Sequence, residues 1–173
     1  MSKIGLFYGS DTGNTEEMAE EIQRNLGEDV VELKDVSDVD IKEIENYQQL
    51  IIGIPTWYEG DLQSAWDSIF EDLDDIDFNG KTIAFFGCGD QEGYADNFLD
   101  AMGILHKKCR ELGARTIGKW PIEGYTFEAS KAVIDDKHFC GVGFDFENQM
   151  DLNDERCENW CNQIKEEFTL VTT

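Results

Sequence analysis

A short run of small and polar residues near the start of the chain has a composition that suits the binding of an anion. The apolar segment 4–8 leads into Gly9 and then SDTGNT (10–15), which holds three hydroxyl groups and one amide. A helical pattern follows at once, so backbone N–H groups at a helix N-terminus would face this loop. Such groups bind a phosphate through dipoles, without a Lys or Arg. The candidate phosphate-binding residues are Ser10, Asp11, Thr12, Gly13, Asn14 and Thr15.

This loop differs from two known phosphate motifs. Gly9 and Gly13 are too close together for a Walker loop, no Lys follows them, and the three-glycine dinucleotide fingerprint is absent. An ordinary helix cap is the alternative, because Ser, Thr, Asp and Asn are common at that position. A cap alone does not require three hydroxyls and an amide, so the composition favours a phosphate.

Two later loops contain large aromatic side chains that a loop does not need for its own folding. PTWYEGD (55–61) contains Trp57 and Tyr58, and CGDQEGYADN (88–97) contains Tyr94. These rings either fold back over the core or hold a flat ring system between them. Beside a phosphate loop they indicate a flat ring that is attached to a phosphate.

Short apolar segments precede these three loops and must position them. Residues 3–9, 49–55 and 81–87 are almost wholly apolar and do not alternate, which is typical of parallel strands buried on both faces. The more polar segments 29–36 and 114–120 fit strands nearer the edges of the sheet. In a doubly wound sheet, ligands bind beyond the carboxyl ends of the strands, where all three loops would lie.

Helical patterns alternate with the strands. Apolar stripes predict helices over 14–26, 97–112 and 153–168, and two shorter helices fit 40–47 and 64–73. Strands alternating with helices predict an α/β fold of three layers, with a doubly wound parallel sheet of five strands. The length of the chain suits one domain, which we expect to span residues 1–173.

One segment does not fit a simple alternation of strands and helices. Residues 121–138, here called the insert, separate the strand at 114–120 from a further strand-like segment at 139–145. The insert contains Pro121, Gly124 and two aromatic residues, so we expect an ordered excursion.

The charge of the chain excludes several kinds of partner. It has 38 acidic and 14 basic residues and a net charge of -24, so nucleic acids and anionic membranes would be repelled. The acidity serves either solubility or the docking of basic protein partners. WDSIFEDLDDIDF (66–78), here called the acidic run, carries six carboxylates and no cation and is the best candidate for a docking face.

The cysteines and the apolar segments bear on location. Five Cys without a framework spacing favour a reduced, cytoplasmic protein. No apolar segment approaches the ~20 residues of a membrane helix, and we expect no signal peptide. Cys157 and Cys161 could suggest a metal pair, but they lie on the apolar stripe of the last helix, so packing is favoured and we expect no metal site.

The three loops together resemble those of the flavodoxin family. SDTGNT (10–15) is similar to its phosphate loop, PTWYEG (55–60) to its tryptophan loop, and CGDQEGYADNF (88–98) to its tyrosine loop, in order and at the expected spacing. The resemblance runs from residue 3 to 168, and the insert is similar to the segment that splits the fifth strand in the long-chain subgroup. It implies strand order 2-1-3-4-5 with FMN at the point where strand order reverses.

The resemblance also implies roles for individual residues. The FMN phosphate would lie in the loop 10–15, and Trp57 and Tyr94 would flank the isoalloxazine ring. A backbone carbonyl of the 58–60 loop, which contains Gly60, can accept a hydrogen bond from the ring. The remaining contacts implied are Pro55, Thr56 and Tyr58 along the ribityl and ring side, Cys88, Gly89 and Asp90 at the pyrimidine end, and Asn97 and Glu147 as polar contacts.

The function implied is that of a low-potential one-electron carrier that binds FMN non-covalently and has no catalytic residues of its own. It would shuttle electrons between a flavodoxin reductase and acceptor enzymes whose docking faces are basic, as a monomer. The main alternative is a flavin-dependent NAD(P)H or quinone oxidoreductase on the same scaffold. No second phosphate motif and no basic cluster for a 2′-phosphate are visible in the sequence. A phosphate-binding module without a flavin stays open as well.

Overall fold

The computed structural model of the chain describes residues 3–10, 13–57 and 60–172, and for Trp57 and residues 170–172 it describes the backbone alone. Three predicted site residues, Asp11, Thr12 and Tyr58, therefore lie outside the described residues.

The strands of the central sheet lie where the sequence predicted them, except for one short antiparallel strand at 61–62. They are β1 (Ile4–Tyr8), β2 (Val31–Asp35), β3 (Gln49–Trp57), β4 (Asp61–Leu62), β5 (Thr82–Cys88), β6 (Arg115–Ile117) and β10 (Val142–Phe144), with β7 (Trp120–Pro121), β8 (Val133–Asp135) and β9 (His138–Phe139) in a separate small sheet. The α-helices are α1 (Asn14–Leu26), α2 (Ser64–Ile69), α3 (Asp100–Glu111) and α4 (Asn153–Thr172), and short 3-10 helices span Ile41–Asn46, Glu71–Asp75 and Met150–Leu152.

The order of the main strands confirms the predicted topology. Across the sheet the strands run β2, β1, β3 and β5, all parallel, and the fifth position is shared by β6 and β10. β6 pairs with the first half of β5 and β10 with its second half, so the fifth strand is split as the resemblance implied. β4 is a short antiparallel addition at the end of β3.

Both faces of the sheet are buried, which explains why apolar and polar residues do not alternate along its strands. All residues of β1 and of β5 are buried. Phe7 and Phe85 pack in one apolar cluster, which includes residues of α2 and α3. Their neighbours Leu6 and Phe86 point to the other side, where α1 and α4 supply the second cluster. The three layers predicted from the sequence are confirmed.

The insert is ordered, as expected, and carries its own small antiparallel sheet in the order β7, β9, β8. Gly141 follows this sheet and leads the chain back into β10. A Cβ on Gly141 would lie 1.9 Å from the carbonyl oxygen of Phe85, so only a glycine allows the second half of the fifth strand to rejoin the sheet here.

Three helix predictions need correction. The helix predicted to begin at residue 97 begins at Asp100, because the Phe98 N–H donates to Ala129 in the insert and Leu99 adopts a left-handed conformation with φ 60°. The segment predicted at 40–47 is a 3-10 helix. The segment predicted at 64–73 is divided into α2 and a 3-10 helix. Among the described residues, no helix combines the length and the hydropathy that crossing a membrane requires.

Candidate functional site

A cavity of about 210 Å³ opens at the carboxyl edge of the parallel strands and is here called the edge pocket. Loops that follow β1, β3, β5 and β10 meet around it. Its lining residues are Asn14, Pro55, Thr56, Cys88, Gly89, Asp90, Tyr94, Asn97, Phe146 and Glu147. Every one of them except Phe146 belongs to the predicted site, and no Lys or Arg from the described part of the chain is in the lining.

The loop before α1 has the geometry of an anion site. Gly13 adopts a left-handed conformation with φ 92°, its N–H donates to the Ser10 hydroxyl at 3.0 Å, and its carbonyl accepts the Glu17 N–H at the start of the helix. A Cβ on Gly13 would meet no atom of the described residues within 4 Å, so none of them fills the space over this turn. The loop therefore presents a hydroxyl and the helix N-terminus to that space.

Thr15, at the end of this loop, has a buried hydroxyl that the described residues leave poorly satisfied. Its side chain is 1% exposed, and its hydroxyl has no hydrogen bond of normal geometry to any described residue. The Cys88 thiol lies close enough to interact with it weakly. Because buried hydroxyls are normally hydrogen-bonded, an unpaired one beside an anion loop indicates a ligand.

Residues 88–94, here called the ring loop, fold around the carboxylate of Asp90. This carboxylate accepts the Gly93 N–H at 2.7 Å, the Glu92 N–H at 3.1 Å and the Asn148 amide at 2.8 Å. Partial burial acts to raise the pKa of Asp90, but these hydrogen bonds outweigh it and hold the pKa below its ordinary value. The side chain is thus ionised and turned into its own loop, so Asp90 offers its backbone to the pocket.

Cys88 and Gly89 line the edge pocket where β5 ends. Burial raises the pKa of the Cys88 thiol to about 12, Asp145 and Glu17 add to the shift, and Thr15 opposes it. Cys88 is therefore a neutral packing residue near neutral pH. A Cβ on Gly89 would lie 3.1 Å from the Phe98 ring, so a side chain at this position would crowd that ring.

Tyr94 provides the aromatic surface that the sequence predicted. It lines the edge pocket and is 41% exposed, an unusual state for a large aromatic side chain. Its ring is therefore available to stack on a flat ligand. The second predicted ring, Trp57, ends β3 at the same edge of the sheet, and its stacking role stays a prediction.

Other predicted residues are tied to the start of α3. The Thr56 hydroxyl accepts the Ala101 N–H at 3.0 Å, and the Asn97 amide donates to the Asp100 carboxylate at 3.0 Å. Gly60 has φ 96° and lies beside Asn97 and Asp100, outside the lining of the edge pocket. Ser10, Gly13 and Thr15 are outside the lining as well, and they belong to the anion loop beside it.

Sequence reasoning missed Phe146. This residue follows β10, so it stands at the same carboxyl edge as the three loops that were considered. The rule that ligands bind beyond the carboxyl ends of parallel strands applies to it, since the segment 139–145 was predicted to be part of the sheet. Only Glu147 was predicted after that strand, and it came from the resemblance.

The cysteines form no second site. All five are free and buried, and burial also raises the pKa values of Cys109 and Cys140 to about 12. Cys157 and Cys161 pack in the cluster between the sheet, α1 and α4. Within 3–10, 13–57 and 60–172, no group of three or more His, Cys, Asp or Glu is arranged to hold a metal ion.

Comparison with known proteins agrees with the three-loop pattern. A family model described as Flavodoxin matches residues 6–160. The flavodoxin of Picosynechococcus sp. is 55% identical over 171 residues, which cover 98% of this chain and 100% of that protein. Flavodoxin 1 of Escherichia coli is 49% identical over 170 residues, which cover 98% of this chain and 97% of that protein.

The similarity extends to solved structures. The crystal structure of a Fusobacterium nucleatum flavodoxin mutant bound to flavin mononucleotide has a TM-score of 0.91 at 32% identity, and the match covers 96% of this chain and 97% of that chain. The flavodoxin itself, also bound to flavin mononucleotide, has a TM-score of 0.89 at 30% identity, with coverage of 96% and 99%. Since the family model and these relatives span nearly the whole sequence, the chain belongs to the flavodoxin family.

Proposed function

We propose that this protein binds FMN non-covalently in the edge pocket and the adjoining anion loop, and that it carries single electrons between a reductase and acceptor redox enzymes. The observation that carries the proposal is the buried hydroxyl of Thr15, which lacks a hydrogen bond of normal geometry to the described residues, in an anion loop without Lys or Arg beside an exposed Tyr94. The two Fusobacterium nucleatum flavodoxin structures, which contain flavin mononucleotide, support it. Residues 1–173 would act as one domain.

The anion loop suits the phosphate of FMN. The Thr15 and Ser10 hydroxyls and the N–H groups at the start of α1 supply donors, and the open space at Gly13 admits the phosphate oxygens. Such donors hold a phosphate dianion through hydrogen bonds and the helix dipole. Asp11, Thr12 and Asn14 complete the proposed phosphate contacts.

The edge pocket suits the isoalloxazine ring. Tyr94 would stack on one face of the ring and Trp57 would cover the other. The part of the pocket lined by Cys88 and Gly89 would receive the pyrimidine, which the Asp90 N–H can approach. The remaining proposed contacts are Pro55, Thr56, Tyr58 and Gly60 along the ring and ribityl side, with Asn97 and Glu147 as polar partners.

When bound, FMN supplies the one-electron redox chemistry, and the protein binds it, orients it and tunes its electrostatics. Asp90 is held ionised next to the proposed ring position, and Glu147 also lines the pocket. These carboxylates disfavour further negative charge there, since like charges repel in a site that is partly shielded from water. The protein is therefore a low-potential donor that turns over no substrate of its own.

The absorption spectrum tests the cofactor assignment. The purified protein, or the apo form mixed with FMN, is expected to show the bands of bound flavin, with the flavin fluorescence quenched by stacking. A colourless protein that cannot be reconstituted with FMN would contradict the proposal. Steady-state oxidation of NAD(P)H by the pure protein, without a reductase, would instead favour the oxidoreductase alternative, which the similarity to flavodoxins does not favour.

The acidic run is the proposed docking face for basic surfaces of a reductase and of acceptor enzymes. All six of its carboxylates are exposed, and among the described residues only Asp74 pairs with a cation, Lys108. The run begins in α2, which follows β4 at the same edge of the sheet as the edge pocket, and it ends shortly before β5, at the opposite edge. Its charge would steer basic partners toward this side of the protein.

We also propose that the protein is a cytoplasmic monomer. Its net charge of -24 opposes self-association, and all five thiols are free, which suits a reducing compartment. Sedimentation equilibrium at ~0.15 M salt is expected to give the mass of one chain, and a concentration-dependent dimer would contradict the proposal.

A further inference from the structure

We propose that Gln91 is a positioning residue that fixes the ring loop for the flavin by tying it to the insert and to the loop after β10. The inference rests on the proposed FMN function. Gln91 does not line the edge pocket, so it would act through the residues that it holds and not through contact with the ligand.

The side chain of Gln91 is buried and uses both ends of its amide. It is 2% exposed, and its Nε2 donates to Asp145 Oδ2 and to Gln149 Oε1, both at 2.8 Å. Its Oε1 accepts the N–H of Thr126, in the insert, at 2.6 Å. One amide thus joins three separate segments: the ring loop, the insert and the loop after β10.

The carboxylate of Asp145 is the centre of this network. It is fully buried and accepts five hydrogen bonds, and among the described residues none comes from a cation. Two donors are the N–H and the side-chain amide of Gln91, at 3.1 and 2.8 Å. The others are the Glu147 N–H and the N–H and amide of Asn148, at 2.9–3.0 Å. A buried carboxylate needs such donors. Loss of the Gln91 amide would leave the Asp145 carboxylate with one hydrogen bond fewer in a buried position next to the ring loop, which is strongly unfavourable.

Asn148 and Arg156 extend the network in opposite directions. The Asn148 amide bridges Asp145 to the Asp90 carboxylate of the ring loop, at 2.8 Å. Arg156 donates to Gln149 Oε1 at 2.7 Å and to the Gly124 carbonyl in the insert at 3.2 Å. Gln149 Oε1 thus accepts hydrogen bonds from both Gln91 and Arg156. These bonds connect the ring loop to a cation that is held outside the pocket.

The network leaves one backbone donor of the ring loop for the ligand. The N–H groups of residues 89 and 91–94 all donate to protein acceptors: Phe144, Asp145 and Asp90. The Asp90 N–H donates to no acceptor among the described residues. Since Asp90 lies directly between Gly89 and Gln91, whose N–H groups are both fixed, the direction of its free N–H is set by these two anchors.

The direct test compares Gln91→Met, which keeps the length of the side chain and removes its amide, with Gln49→Met. Gln49 also donates a side-chain hydrogen bond, to the Phe168 carbonyl at 3.3 Å, but at the opposite end of the sheet. Dissociation constants of FMN and of riboflavin, which lacks the phosphate, are measured by fluorescence titration. The midpoint potential of the bound FMN is measured as well, because a merely structural role would not move it.

Gln91→Met is expected to raise both dissociation constants by the same factor, about tenfold, because the ring and not the phosphate is misplaced. The affinity for the reduced flavin should fall by about a further tenfold, because the Asp90 N–H would stabilise its charge. This difference in affinity makes the one-electron potential about 59 mV more negative. Gln49→Met should leave both constants within about twofold of wild type. Gln91→Met with wild-type affinities and potential would overturn the inference while leaving the FMN function intact.

A second variant keeps the inference testable if Gln91→Met does not fold. Asn148→Ala alters an exposed residue and removes the bridge between Asp145 and Asp90, and it should weaken FMN and riboflavin equally, by about threefold. Unchanged binding in a folded Asn148→Ala protein would then overturn the inference. Failure of the wild-type protein itself to bind either flavin would overturn the proposed function.

Discussion

Replacing Thr15 by Val should stabilise the flavin-free protein while weakening its affinity for FMN. Val keeps the shape of the Thr side chain and removes a hydroxyl that is buried and lacks a hydrogen bond of normal geometry to the described residues. An unsatisfied buried polar group costs about 1–3 kcal/mol, and the nearby Cys88 thiol is only a weak partner. We therefore expect Thr15→Val to raise the free energy of unfolding of the apo protein by about 1 kcal/mol.

The effect on FMN has the opposite sign. A hydrogen bond to a charged group contributes about 1.5–3 kcal/mol, so loss of a Thr15–phosphate bond should weaken FMN binding by about tenfold to a hundredfold. Riboflavin has no phosphate and should bind to Thr15→Val as it does to wild type. This pattern differs from that of Gln91→Met, which should weaken both flavins equally.

Urea unfolding of the apo protein and fluorescence titrations of the two flavins measure these effects. Thr116→Val is a matched control, because the Thr116 hydroxyl does have a partner, His106 Nε2 at 3.3 Å; its loss should destabilise the fold by about 1 kcal/mol. If Thr15→Val destabilised the apo protein as Thr116→Val does, or weakened riboflavin as much as FMN, the assignment of Thr15 to the phosphate would be refuted.

The remaining predictions concern pH, packing, docking and thiol reactivity. Burial, assisted by Arg110, lowers the pKa of His106 from 6.5 to about 4. As the pH falls below 6.5, the unfolded chain therefore binds this proton before the folded protein does, and the free energy of unfolding decreases. In urea unfolding, His106→Gln should remove about 1 kcal/mol of the loss of stability between pH 7 and pH 5, after allowance for solvent screening. Gly141→Ala, which forces a Cβ against the Phe85 carbonyl, should lower the free energy of unfolding by about 3 kcal/mol in the same assay. The triple variant Asp72→Asn, Asp75→Asn, Asp77→Asn neutralises half of the carboxylates in the acidic run. In stopped flow, its reduction by a basic reductase should be several-fold slower than that of wild type at low salt and nearly the same at high salt. The five buried thiols should resist iodoacetamide in the native protein and react after unfolding, as followed by mass spectrometry.

Each of these expectations has a contrary result. A pH profile of His106→Gln parallel to that of wild type would show that His106 is not the group that titrates. A loss below about 1 kcal/mol for Gly141→Ala would show that the backbone yields at low cost. Equal slowing by Glu28→Gln with Asp29→Asn, exposed carboxylates before β2 that lie outside the acidic run, would make the docking effect one of net charge alone. Rapid alkylation of any thiol would show local opening of its cluster.

Much of the fold was predictable because its signals are local. Continuous apolar segments identified the buried parallel strands to within a few residues, and the stripe in 14–26 predicted α1 with its observed bounds. The start of α3 was not predictable, since it depends on a bond between Phe98 and Ala129 in the insert. The periodicity of a segment contains no information about a backbone partner that lies thirty or so positions away in the chain.

The site divides in the same way. Asn14 and Tyr94 were predicted from loop composition and Cys88 from the resemblance, and the structure brings all three to one pocket. The pairing of Gln91 with Asp145 joins residues 54 positions apart. Gln91 lies within the tyrosine-loop motif, but nothing in that motif distinguishes it from the other polar residues of the loop. Residues that bind a ligand leave a chemical signature in the sequence, whereas residues that position them leave one only in the structure.

One electrostatic rule governs both ends of the pocket. Asp145 is satisfied by five N–H groups, Asp90 by three, and the anion loop offers hydroxyls and N–H groups, with no cation in direct contact with these carboxylates among the described residues. Dipoles satisfy an anion locally but leave its full charge in place, whereas a Lys or Arg would cancel that charge at a distance. FMN bound in the proposed site would lie in the uncancelled field of these groups, which would disfavour added negative charge on it. An acidic chain that binds anions through dipoles and not through cations could therefore hold a phosphate and still disfavour the reduced form of the cofactor.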